Sequence, residues 1–167
     1  MKVYPIQEAT NTDLLQIKEI FFLTTAITNF ESEDEKEEFF QKYLGTYLKG
    51  YPGFFLKDLE VLGYIVGDTQ SDAWTKVHPY LSIFSDLFSK YPAHLHINLH
   101  TKAQGMGGGS QLLKAFEEEL KAKGVFGLHL ITSPDAKNVN FYLKNGFADK
   151  FYREFNQKKL LLMGKIF

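Results

Sequence analysis

The 167-residue chain contains no cysteine. It cannot form a disulfide, hold a metal through thiolates or use a sulfur nucleophile, so no acyl-cysteine intermediate is open to it. It also lacks a dominant charge: 19 Lys and Arg stand against 20 Asp and Glu. That balance gives no electrostatic reason to expect a nucleic-acid partner, which requires clustered cations. Long apolar runs are missing as well. The longest, residues 20–23 and 160–163, fall far short of the ~20 residues that a membrane helix needs. Residues 1–7 have no apolar signal-peptide core. These absences predict a cytoplasmic protein with no membrane or nucleic-acid partner.

What is present is apolar bulk, 44% hydrophobic and 16% aromatic, enough to bury a full core without covalent staples. A strand is expected over 3–8. Thr12 and Asp13 then start a helix that buries Leu14, Leu15, Ile17, Ile20 and Phe21. Glu31, Glu33, Asp34 and Glu35 lead into a second helix over 34–48, where first-turn carboxylates suit the helix dipole; they read as a solvated helix start or as a cluster that steers a cationic amine. Two strands, 54–56 and 61–67, form a hairpin turning near Asp58. In the segment 73–91, Tyr80, Phe84, Leu87 and Phe88 are at helical spacing, and Trp74, Tyr80, Phe84 and Phe88 read as a pocket wall or a partner interface. A period-2 strand covers 94–100, with Leu95, Ile97 and Leu99 on one face and His94, His96, Asn98 and His100 on the other. A helix over 110–123, a strand over 128–132, a short helix over 138–144 and strands over 147–155 and 159–167 complete a single α/β domain, residues 1–167, built on a mixed sheet with helices on its faces.

Between the histidine strand and the helix at 110 lies Gln104-Gly105-Met106-Gly107-Gly108-Gly109-Ser110. A strand, a glycine-dense turn and a helix N-terminus make an anion site, because first-turn N–H groups have no internal partner and glycine lets phosphate oxygens approach. The letters exclude a Walker A loop, since no Lys follows the glycines, and the glycine spacing does not fit a dinucleotide fingerprint.

The loop does fit Q/R-x-x-G-x-G/A through Gln104, Gly107 and Gly109. Downstream, Phe141, Tyr142, Gly146 and Phe147 fill F-Y-x-x-x-G-F. With these two motifs in order, the chain resembles the GNAT N-acetyltransferases. The resemblance implies a GNAT fold, mostly antiparallel with about seven strands and a splayed central pair. It implies acetyl-CoA as cosubstrate, contacted by Ile97, Leu99, Gln104, Gly105, Met106, Gly107, Gly108, Gly109, Ser110, Asn138 and Tyr142. It makes Tyr142 the proton donor to the departing CoA thiolate. Asp135 and Asn138 depart from the residues usual at those places in the family; Asn138 can still reach the pantetheine arm. The run 94–98 is also similar, more weakly, to acetyltransferase-like domains associated with O-GlcNAc hydrolases.

Three His on one strand face suggest either a metal or a base. No neighbouring carboxylate or Cys completes a metal set, so no metal is expected. A His of near-neutral pKa can take the proton an acceptor ammonium must lose; His96 and Asn98 stand nearest the implied reaction centre. The expected activity is direct transfer of an acetyl group to a primary amine of a small molecule or peptide, by a monomer or homodimer. A catalytically silent acetyl-CoA-binding or protein-interaction module remains the alternative.

Overall fold

The computed structural model describes all residues, 1–167. The chain divides into two compact units, residues 1–67 with 96–119, and residues 68–95 with 120–167.

The first unit begins with strand β1 (Lys2–Pro5) and one 3₁₀ turn, Ile6–Glu8. Helix α1 (Asn11–Thr24) is capped by Thr10, whose hydroxyl accepts from the Asp13 N–H while the Asp13 carboxylate accepts from the Thr10 N–H. Lys57 donates to the same carboxylate at 2.7 Å. That ion pair holds Asp13 inward and sets the helix register. Asp13, Ile17, Ile20 and Phe21 are buried, at i, i+4, i+7 and i+8, and Leu15 on the opposite side is 63% exposed. Leu15 therefore does not join the core as its hydrophobicity suggested.

Ser32 caps α2 (Glu33–Phe40) by accepting from the Glu35 N–H. The expected long helix is shorter here. It passes into one π turn, Gln41–Gly45, where a Cβ on Gly45 would lie 2.5 Å from the Gln41 side chain. This wide turn delivers Leu44 and Tyr47 to the core, both fully buried. Strands β2 (Gly53–Lys57) and β3 (Val61–Asp68) form the hairpin, antiparallel with a bulge at Leu56/Lys57; β2 also pairs antiparallel with β1.

In the second unit the aromatic segment folds as 3₁₀ turns, Ser71–Trp74 and Pro79–Leu87, not as the expected helix. Side chains three apart share a face in this geometry, so Leu81 and Phe84 go inward and Tyr80 is only half-buried. Trp74, Phe84 and Phe88 are core residues, which corrects the expectation of a pocket wall or interface. The Trp74 indole N–H donates to Asp68 at 2.7 Å. Strand β5 (Gly127–Thr132) pairs antiparallel with β7 (Lys158–Ile166) along its whole length, and β7 with β6 (Asp149–Phe155). Helix α4 (Val139–Lys144) lies between β5 and β6 in the chain.

Strand β4 (Ala93–Leu99) starts in the second unit and ends in the first. The sheet has seven strands in the order β1-β2-β3-β4-β5-β7-β6, with β4 and β5 parallel. Their ladder holds only Ala93↔Leu128 and His94↔His129. Past His94, β4 has no registered partner in β5. Helix α3 (Gly108–Ala122) follows β4 and buries Leu112, Leu113, Phe116 and Leu120.

Candidate active site

In the first unit, β4 leads through a short 3₁₀ turn, Thr101–Ala103, into the glycine loop. The loop is more differentiated than its letters suggest. Gly105 and Gly107 have φ of 77° and 79°, in the left-handed region that glycine occupies without strain. Gly108 and Gly109 already belong to the first turn of α3, two residues earlier than expected. Gly108 serves packing, since a Cβ there would lie 2.4 Å from Leu56 Cδ2.

Gln104 and Met106 donate back to the Thr101 and Ala103 carbonyls at 3.3 and 3.4 Å, and the next N–H with a backbone acceptor is that of Gln111, which reaches the Gly107 carbonyl at 3.2 Å. The N–H groups of Gly107, Gly108, Gly109 and Ser110 have no acceptor in the protein. These four donors lie at the positive end of a 15-residue helix, an arrangement that can bind an anion; Gly108 and Gly109 are themselves buried. Gln104, Gly105, Met106, Gly107 and Ser110 are solvent-exposed, and Met106 is 59% exposed.

The end of β4 carries two tyrosine-linked polar side chains. His96, half-buried, places Nε2 3.3 Å from the Tyr47 hydroxyl, with the rings edge-to-face at 5.3 Å. Asn98 donates from Nδ2 to the Tyr64 hydroxyl at 2.7 Å. Burial holds the Tyr64 phenol far above its ordinary pKa, partly opposed by the Asn98 hydrogen bond. Ile97 and Leu99, half-buried, take the alternate face. A Cβ on Gly63 would meet Leu99 Cδ2 at 2.5 Å and the Asn98 carbonyl at 2.8 Å, so Gly63 lets the backbone of β3 approach β4 closely. Tyr47 and Tyr64 were missed from sequence. They lie 49 and 34 residues from their partners, and no local pattern links them.

The histidine row does not act as one group. His94 is buried in the second unit, with Nδ1 3.0 Å from the Ser71 hydroxyl and its ring edge-on to Trp74. His100 accepts the Lys102 N–H and caps the turn after β4. Only His96 is left beside Asn98.

Also in the second unit, Asn138 precedes α4 and accepts from the Thr132 hydroxyl at 3.3 Å. Tyr142 is 5% exposed and packs edge-on against Phe141 and Phe147. Burial raises its hydroxyl to about 12. The ring sits in the aromatic core and leaves the phenol little exposure. Glu31, Glu33, Asp34 and Glu35 are exposed at the start of α2, with Glu35 accepting the Glu31 N–H, as a solvated helix start predicts.

The model of the acetyltransferase (GNAT) family matches residues 14–147. The chain belongs to that family. The GNAT assignment agrees with the folds of solved structures. SsHAT is 19% identical with a TM-score of 0.71, over 99% of this chain and 97% of that one. A ribosomal-protein-alanine N-acetyltransferase from Brucella melitensis is 18% identical with a TM-score of 0.65, over the full length of both chains. The yncA protein of Salmonella typhimurium, solved with its cofactor acetyl-CoA, is 19% identical with a TM-score of 0.64, over 99% and 93%. As a GNAT the chain is an acyltransferase.

Proposed function

We propose that this GNAT transfers an acetyl group from acetyl-CoA to a primary amine while both are bound. The observation that carries the reading is the run of acceptor-free N–H groups from Gly107 to Ser110. These donors fit a pyrophosphate: they are consecutive, they lie at a helix N-terminus, and a Cβ at Gly107 would meet nothing within 4 Å. Gln104, Gly105 and Met106 continue the same exposed surface. Ile97 and Leu99 offer apolar contact and Asn138 an amide to the pantetheine arm.

Acetyl-CoA supplies an acetyl group activated as a thioester. The protein's own work is proton management. An ammonium acceptor must lose a proton before its nitrogen attacks, and His96 takes that proton, directly or through water. Tyr47 fixes the imidazole and Tyr64 fixes Asn98. Tyr142, held near a pKa of 12, keeps its proton at any physiological pH. Full transfer to a thiolate of ordinary pKa, about 8.5, would be uphill by roughly 3.5 units or ~5 kcal/mol. Tyr142 therefore acts first as a hydrogen-bond donor. It gives up the proton only as a desolvated thiolate becomes more basic than a free one.

The reading is tested by thermal unfolding with acetyl-CoA and by release of free CoA thiol across a panel of amines. Stabilisation by acetyl-CoA together with amine-dependent thiol release is expected. If acetyl-CoA leaves the melting temperature unchanged, the cradle assignment is wrong. Stabilisation without release for any amine would mark a binding module.

A further inference from the structure

The sheet ends at β6, which pairs only with β7. Asn156 and Gln157, with φ of 48° and 62°, form the two-residue turn between these strands. Positive φ at both positions marks a type I′ turn, and such a turn is closed by a hydrogen-bonded pair, here Phe155↔Lys158. Along an antiparallel ladder, hydrogen-bonded and non-hydrogen-bonded pairs alternate. Asp149, Phe151, Arg153 and Phe155 therefore aim their backbone groups at β7, and Lys150, Tyr152 and Glu154 aim theirs off the edge of the sheet. No other part of the chain meets those outward N–H and C=O groups.

The side chains of these three residues are open as well. Lys150, Tyr152 and Glu154 are exposed, Tyr152 by 60%, and neither charge forms an ion pair within the chain. The alternate face of the strand is held in place. Arg153 donates to the Ile83 carbonyl and, at 2.8 Å, to Asp86, and its guanidinium lies over the Phe84 ring. So β6 is an ordered strand with one open side. Open edges are commonly blunted by a proline, a bulge or a lysine. β6 has no proline and no bulge, and its lysine is balanced by a glutamate at the same distance on the other side of Tyr152.

We infer that β6 pairs antiparallel with the β6 of a second copy of this chain, with Tyr152 on the twofold axis. This register sets Lys150 of each copy opposite Glu154 of the other and places the two Tyr152 rings side by side. Outward-facing residues then stand opposite one another, so Lys150, Tyr152 and Glu154 can each exchange both backbone hydrogen bonds with the other copy. Moving the axis to Lys150 or to Glu154 sets like charges together, which is unfavourable. An extended peptide from another protein could use the same backbone groups, but a second copy carries the matching charges by symmetry. The inference does not rest on acetyl transfer.

Sedimentation velocity of the full chain over a range of concentrations measures the association, and amide hydrogen exchange locates it. A monomer–dimer equilibrium is expected, in which the amides of Lys150, Tyr152 and Glu154 exchange fast in the monomer and slowly in the dimer. Lys150→Glu and Glu154→Lys should each weaken self-association by roughly tenfold, because both charge pairs become repulsive. Mixed in equal amounts, the two variants should associate as strongly as the parent, since each supplies the charge that the other lacks. Both positions are exposed, and melting temperatures matching the parent's at monomeric concentrations will show that the variants fold. A parent chain that stays monomeric up to about 1 mM overturns the inference, because even small transient interfaces associate below that. A dimer that both single variants retain, or one whose three edge amides exchange as fast as in the monomer, places the contact elsewhere and overturns it too.

Discussion

Two buried residues show how environment sets chemistry at the scale of a single side chain. Tyr142 keeps its ring packed against Phe141 and Phe147, so Tyr142→Phe removes a hydroxyl and little else. Turnover with a competent amine should fall roughly 10²-fold, the scale of general acid catalysis, while acetyl-CoA affinity measured by calorimetry stays within about threefold. Equal turnover, with product release shown not to limit it, would leave Tyr142 a core residue. His129 is fully buried, stacked on Phe88 at 5.2 Å, with Nδ1 2.8 Å from the Tyr91 carbonyl. A carbonyl only accepts, so Nδ1 carries the proton and Nε2, which has no partner in the protein, is the atom that would be protonated. Burial lowers its pKa to about 4, partly opposed by the bond to Tyr91. The unfolded chain binds this proton near pH 6.5. The stabilisation that comes from keeping His129 neutral is present above pH 6.5 and is lost as pH falls from there to about 4, at most ~3 kcal/mol. Denaturant unfolding at pH 7 and pH 5 should show that His129→Gln flattens this slope. An equal slope in the variant would assign the acid sensitivity elsewhere.

At the scale of elements, the glycine loop divides its labour between conformation and packing. Gly105 and Gly107 permit a left-handed backbone, Gly108 permits α3 to approach Leu56, and the amides that follow are left open. Gly107→Val strains a φ of 79° and costs about 1–2 kcal/mol of stability. Its acetyl-CoA affinity should fall at least tenfold by calorimetry. Gly50→Val is the control, since Gly50 also has a positive φ with nothing within 4 Å. If both variants lose affinity equally, strain and not the cradle is responsible. The same scale explains where sequence periodicity misled. The stretch 79–87 repeats its buried positions every three residues because it is 3₁₀, and α1 turns Leu15 outward because the Asp13–Lys57 pair claims an inward position.

For the whole molecule, the absence of cysteine and the presence of one anion cradle limit the order of events. With no thiol to carry an acetyl group, an acetyl-cysteine intermediate is excluded, and the proposed direct transfer has both substrates bound together. Initial-rate patterns should be sequential, with lines that intersect when either substrate is varied. Parallel lines would require a covalent acetyl-enzyme on another nucleophile and would sink direct transfer. Saturating acetyl-CoA should also stabilise the fold, by about 2.7 kcal/mol at one hundred times its dissociation constant.

Most of the element order, the family and the glycine turn that opens α3 were legible in the letters, because they depend on local quantities. These are the period of apolar residues, the conformational freedom of glycine, and donors that a helix leaves unpaired at its start. The two motifs, Gln104-x-x-Gly107-x-Gly109 and Phe141-Tyr142-x-x-x-Gly146-Phe147, are each contiguous in sequence. What only the tertiary structure decided depends on partners distant in the chain. Four equivalent-looking side chains, His94, His96, Asn98 and His100, acquired different roles because Ser71, Tyr47, Tyr64 and the Lys102 amide came to lie beside them. The burial that holds Tyr142 protonated and His129 neutral likewise belongs to packing and has no signature in any stretch of sequence.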